Sequence, residues 1–259
     1  MSKAAIPILS LKNVGKIFNV AGRRIEALRG ASLEVARGEF VCLIGASGCG
    51  KSTLLRIVAG FETATTGEAL MWGVPISGPG PSRGMVFQDY GLFPWLTVRG
   101  NIGFGPAARG RPASEVKDTV DTFVDLVGLR RFADAYPHQL SGGMKQRVAI
   151  ARVLANEAEV VLMDEPFGAL DAMTRERLQD ELLELWQRTR LTVLFVTHSI
   201  EEAIFLSNRC IVMSAGPGRI DSDVPIDLPR PRDVSAPDFN EMRRSLALRL
   251  QGHHAMVAA

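Results

Sequence analysis

The stretch GASGCGKST, residues 45–53, constrains this chain more than any other. It follows the apolar run FVCLIG and leads into KSTLLRIVAG, so it reads as a glycine-rich turn between a strand and a helix. Glycines at 45, 48 and 50 permit backbone angles that turn successive N–H groups toward one anion. The helix N-terminus adds partial positive charge at the same place. The spacing G-x-x-x-x-G-K-[ST] therefore assigns Gly45, Ala46, Ser47, Gly48, Cys49, Gly50, Lys51, Ser52 and Thr53 to a cradle for nucleotide phosphates. Lys51 would reach the β- and γ-phosphates, Ser52 would ligate Mg²⁺ and Thr53 would contact the α-phosphate. A glycine turn with a surface lysine is the plainer reading, and the strand–helix context weighs against it.

Around this loop the pattern is α/β. Residues 8–45 read as strands with turns at AGRR and ARGE. VVLMD (160–164), TVLFVTH (192–198) and RCIVMS (209–214) are short apolar runs of the kind found in buried parallel strands. A helical stretch, about 171–190, lies between the first two of these. From about 95 to 155 the pattern is helical, with Ser114 as a candidate N-cap and Val116, Val120, Phe123, Val124 and Val127 on one face. That predicts a helical insertion in an α/β core. GPGRI reads as a hairpin turn, and a last amphipathic helix is expected near 238–251, within a C-terminal tail of about 229–259.

VVLMDEP supplies carboxylates. Asp164 at the strand end suits Mg²⁺ held through water, and Glu165 suits a general base on the attacking water. An acidic cap on a strand end is the alternative. His198 ends another predicted strand, at the sheet edge where open α/β folds bind ligands, and suits a γ-phosphate contact. Gln88 closes RGMVFQ and offers an amide to Mg²⁺ and water.

Several classes are disfavoured. The net charge of +2 gives no basis for a nucleic-acid partner. Cys42, Cys49 and Cys210 have no CxxC spacing, which suits a reducing compartment. No apolar run approaches the roughly 20 residues of a membrane helix, and the N-terminus lacks a secretory pattern. His253 and His254 have no nearby ligands and read as frayed surface.

One further element, LSGGMKQR at 140–147, is a second glycine pair opening a predicted helix. With GASGCGKST, Gln88, VVLMDEP, GALDA and His198 in order, it resembles the signature of ATP-binding-cassette ATPases over about residues 8–220. The resemblance implies a P-loop (RecA-like) parallel sheet core, an N-terminal antiparallel β subdomain and an inserted α-helical subdomain, all in one ATPase domain spanning 1–259. It implies ATP and Mg²⁺ as cofactors, Mg²⁺ meeting Ser52, Gln88 and Asp164. It also implies a head-to-tail dimer with a second copy, in which Ser141, Gly142 and Gly143 meet the partner's γ-phosphate and Asp171 links the two sites. Phe18 in KNVGKIF resembles the aromatic that stacks on adenine; a core or edge aromatic is the alternative.

The finer likeness is to importer cassettes of the nitrate, sulfonate and taurine group, through GPGPSRGMVFQDYGLFPWLTV, ADAYPHQLSGG and MDEPFGALDAMTR. It departs at Ala46, where proline is common, and at Ser199, where aspartate is common. With no membrane span of its own, such a chain acts on transport through permease subunits, and Tyr90, Leu92, Phe93 and Trp95 of DYGLFPW offer them a docking surface; a local aromatic core is the alternative. The resemblance implies an extracytoplasmic binding protein acting indirectly and a peripheral place on the cytoplasmic face of the cell membrane. No long regulatory domain is expected after the core. A cassette ATPase of DNA repair or translation, or an importer of another substrate class, is the competing reading. The short interval between Ser52 and Ser141 and the single cassette disfavour the first. A kinase would leave LSGG unexplained.

Overall fold

A long hairpin opens the chain. Strands β1 (Leu9–Val20) and β2 (Arg23–Val35) pair antiparallel around Ala21 and Gly22, whose φ values of 48° and 77° provide the left-handed pair a two-residue turn requires. Next come β3 (Phe40–Gly45), α1 (Lys51–Ala59), β4 (Thr66–Met71), β5 (Val74–Pro75) and β6 (Arg83–Val86). Helices α2 (Val98–Ala108), α3 (Ala113–Leu126) and α4 (Gly142–Ala155) precede β7 (Val160–Asp164) and α5 (Ala172–Thr189). The chain closes with β8 (Thr192–Val196), α6 (Ile200–Leu206), β9 (Arg209–Ser214), β10 (Arg219–Pro225) and α7 (Pro237–Val257). The computed structural model describes residues 6–87, 89–168 and 170–257, with side chains through residue 251. Two compact units result, one within residues 1–79 and 191–259, the other within 80–190.

The first unit contains an antiparallel sheet in the order β2-β1-β4-β5. It also contains the run β10-β9-β3-β8, in which β3 lies parallel to both β8 and β9. Every residue of β3 is buried, as a strand covered on both faces must be, and its Phe40 ring lies 5.8 Å from that of Phe195 on β8. The phosphate-loop sequence leaves the C-terminal end of this buried strand. Gly60 ends α1 in the left-handed conformation, with its N–H donated to Ile57 and that of Phe61 to Arg56, a Schellman-type stop.

The second unit pairs β6 parallel to β7 and packs α2, α3 and α4 around one apolar cluster. Val120, Val124 and Val127 are buried in it, while Val116 and Phe123 pack against it half-buried, so the helical periodicity of this segment corresponds to a real face. The N-cap expectation is corrected. Pro112 takes that position and Ser114 lies inside α3, because the Val116 N–H already bonds to the Pro112 carbonyl. Proline suits a helix start, where its missing N–H is not needed. Strands β4, β5 and β6 have no counterpart in the sequence reading, and α7 begins one residue before and runs past the expected 238–251.

Asn101, wholly buried on α2, organises the loop before that helix. Its Oδ1 accepts from the Phe93 N–H at 2.9 Å, and its Nδ2 donates to the carbonyls of Phe93, Leu96 and Thr97. Replacing Asn101→Ala removes the side-chain partners of the part-buried Phe93 N–H and Leu96 carbonyl, at about 1–3 kcal/mol each where water cannot enter, while the Phe93 and Thr97 carbonyls keep backbone donors. The variant should lose at least about 2 kcal/mol of unfolding free energy in urea titration, seen as a lower midpoint; an unchanged midpoint would show that the loop does not depend on this side chain.

Candidate functional site

The phosphate loop folds around its own lysine. Lys51 is only 6% exposed, and its Nζ donates to the Gly45 carbonyl at 2.8 Å, the Ala46 carbonyl at 3.1 Å and the Cys49 sulfur at 3.7 Å. Among the described residues no carboxylate pairs with this buried ammonium. No side chain caps the N-terminus of α1, where Gly50 sits at φ 88°. A Cβ on Gly50 would stand 2.6 Å from Leu28 and 2.8 Å from the Ala27 carbonyl, and one on Gly45 would stand 2.5 Å from the Met213 carbonyl. Gly48, at φ 78°, has open space and needs glycine for its backbone angle alone. Ser47 is exposed, and Ser52 and Thr53 are half-buried beside the lysine. A buried cation, an uncapped helix N-terminus and a closely folded glycine backbone together fit a polyphosphate.

The same unit presents His198 on an exposed loop, two residues beyond the end of β8 rather than within the strand. The loop is held on both sides. Thr197 donates from Oγ1 to the buried Glu202 carboxylate at 2.5 Å and accepts from the Ser199 N–H at 3.0 Å. Ser199 caps α6, its Oγ accepting from the Glu202 N–H at 3.2 Å. This ring went unread in the sequence, although the S-x-x-E spacing of Ser199 and Glu202 carries its signal. Phe18, half-buried on β1, has the Lys16 ammonium 4.9 Å from its ring centre.

In the second unit Asp164 ends β7, and Glu165 follows at φ 46°. A non-glycine residue in that region is strained, a condition common at working sites. Ser141 caps α4 by accepting from the Met144 N–H, and Asp171 caps α5 by accepting from the Thr174 N–H. That bond holds the Asp171 carboxyl below its ordinary range. The glycines of the signature have different reasons to be there. A Cβ on Gly143 would meet Leu178 at 2.4 Å, so this glycine lets α4 approach α5 closely. A Cβ on Gly142 would find only ordinary contacts at 3.5 Å, with Leu170 and the Tyr90 hydroxyl. Packing against the described residues does not require Gly142.

The aromatic loop divides. Leu92 packs against the core, whereas Trp95 is 69% exposed and lies beside Phe93, the two rings tilted with centres 5.6 Å apart. Phe104 extends this surface 4.5 Å from Phe93. Arg152 on α4 fixes the loop by donating to the carbonyls of Gly91 and Tyr90. Gln88 lies outside the described residues. Among those described, no group of three or more His, Cys, Asp or Glu could hold a metal ion. Burial pushes the Cys210 thiol up to about 12 and raises Cys42 and Cys49 as well, so none is poised as a thiolate.

This fold and phosphate loop define an ATP-binding cassette that hydrolyses ATP. The ABC transporter family model matches residues 28–168, and the chain belongs to that family. An uncharacterised ABC transporter ATP-binding protein of Methanocaldococcus jannaschii is 53% identical over 92% of this chain and 89% of its own length. The nitrate import ATP-binding protein of Synechocystis sp. is 49% identical over 85% of this chain and 83% of its own. Among solved structures, a dimeric ATP-binding cassette in a post-hydrolysis state bound to ADP and Pi superposes with a TM-score of 0.71. It is 32% identical and covers 85% of this chain and 99% of its own.

The capping geometry makes the Ser199 departure testable. Asp and Ser are comparable N-caps, whereas alanine loses about 1 kcal/mol. Ser199→Asp should leave the thermal midpoint nearly unchanged and Ser199→Ala should lower it by a few degrees in calorimetry. Equal loss in both variants would contradict the capping role.

Proposed function

We propose that this chain is the ATP-hydrolysing subunit of an importer for a small anion such as nitrate, a sulfonate or taurine. Both compact units act as one ATPase domain in this reading. The observation that supports it most is the buried Lys51, held by carbonyls at an uncapped helix N-terminus, in a chain 49% identical to a nitrate import ATP-binding protein.

The residues divide the work. Lys51 and the Gly45–Gly50 backbone hold the phosphates, Thr53 contacts the α-phosphate, and Phe18 stacks on adenine. Ser52, Asp164 and Gln88 hold Mg²⁺, which when bound supplies positive charge against the phosphate oxygens. Glu165 accepts the proton of the attacking water. His198 donates to the γ-phosphate from a loop braced by Thr197, Ser199 and Glu202. Two copies pair head to tail, so that Ser141, Gly142 and Gly143 approach the other copy's nucleotide and Asp171 links the sites. The surface formed by exposed Trp95 and Phe104 around half-buried Phe93 receives the membrane permease. No helix among the described residues is long and apolar enough to cross a membrane. We place the chain at the cytoplasmic face, bound peripherally through those subunits, with an extracytoplasmic binding protein acting further upstream.

Steady-state assays test the chemistry. Lys51→Ala should abolish hydrolysis and weaken nucleotide binding. Glu165→Gln should bind Mg·ATP and turn over at least ~100-fold more slowly, the lower range for losing a general base. Near wild-type turnover in either variant would remove the assignment.

Pairing has its own test. In the Glu165→Gln background, ATP should drive a dimer visible by sedimentation. Adding Gly142→Ala places a methyl where the chain itself has room but an incoming phosphate does not. The dimer should weaken by at least about tenfold, with monomer ATP affinity and circular dichroism unchanged. A dimer of undiminished strength would sink the role of Gly142.

A further inference from the structure

A cleft in the second unit serves none of these roles. It lies between the end of α3, α4 and α5, with a volume of about 220 Å³. That is room for on the order of seven water-sized groups at about 30 Å³ each. Gln146 on α4 lines it and is only 2% exposed, yet neither its amide donor nor its acceptor has a hydrogen-bond partner among the described residues. Buried amides are normally satisfied, and leaving one open is costly. Leu182 and Ile150 give the wall an aliphatic part.

The charges around the cleft narrow its ligand. Arg147 lies 3.3 Å from Glu181 and donates to the Val127 carbonyl, and Asp125 is engaged by Arg130. Arg188 and Glu184 also line the cleft, and neither forms an ion pair or hydrogen bond among the described residues. One unengaged cation and one unengaged anion flank a buried amide that can both donate and accept. A simple anion would satisfy Arg188 and face Glu184 unfavourably; a simple cation would do the reverse.

We propose that this cleft binds a small zwitterion, an amino acid or aminosulfonate with a short aliphatic spacer. Its anionic end meets Arg188 and the Gln146 amide N–H groups, and its ammonium meets Glu184 and the Gln146 carbonyl. The aliphatic spacer lies against Leu182 and Ile150. Binding here does not depend on the ATPase reading, so the two stand or fall separately.

Calorimetric titration of the full chain tests the site, with taurine and β-alanine as probes and ethanesulfonate and propylamine as singly charged controls. The zwitterions should bind and the controls should bind at least about tenfold more weakly. Gln146→Met keeps the side-chain volume and removes both polar atoms. It should weaken zwitterion binding by at least about tenfold while the unfolding midpoint stays level or rises. Arg188→Ala, at the exposed rim, should weaken binding similarly and decides the matter if Gln146→Met fails to fold. No binding heat at millimolar probe, equal affinity for the controls, or full affinity in Arg188→Ala would overturn the proposal.

Discussion

A lysine ammonium buried against two backbone carbonyls and a thiol governs how this molecule is arranged. Carbonyl oxygens carry only partial negative charge, so they hold the cation in place without neutralising it. The loop around it must then be short, closely folded and open on one side to an anion. Those demands fall on the backbone: Gly50 and Gly48 adopt left-handed angles, and Gly45 leaves out a Cβ that would stand only 2.5 Å from the Met213 carbonyl. β3 must end where the loop begins, and it is buried along its whole length to fix that end. Gly218 joins the same arrangement, exchanging backbone bonds with Ala27 and Arg29 of β2, so the β9–β10 hairpin closes on the strand that also touches Gly50. A polyphosphate would supply the charge that the carbonyls lack.

What could be read in advance follows from how local each feature is. β3, β7 and β9 match their apolar runs because both faces are buried and no alternation is needed. Thr66–Met71 contains a glycine and a glutamate and owes its strand conformation to pairing with β1, a partner distant in sequence. β5 spans two residues, and β6 begins with Arg83 and Gly84, so neither carries enough apolar pattern to be seen. TVLFVTH runs on without a breaker, so its pattern carries the strand through His198. Thr197 instead turns its hydroxyl to Glu202, and the ladder stops at Val196.

The site shows the same division. The spacing of GASGCGKST identifies the loop, since glycine angles and a helix N-terminus are local properties. Sequence cannot separate Gly142 from Gly143, because the difference lies in Leu178, a residue of another helix. Nor does it reveal Gln146, which looks like one polar residue among several in MKQR until its burial is known.

Helix α4 links the signature loop to the aromatic loop. Ser141 caps one end, and Arg152, near the other, grips the loop that bears Phe93 and Trp95. Its 14 residues span about 20 Å, and after Gly143 they include no glycine or proline at which the rod could bend. Such an element transmits a push without absorbing it. A tilt imposed at the Ser141 end would reach the aromatic loop with little lost to bending, the way a connecting rod carries a stroke from piston to crank.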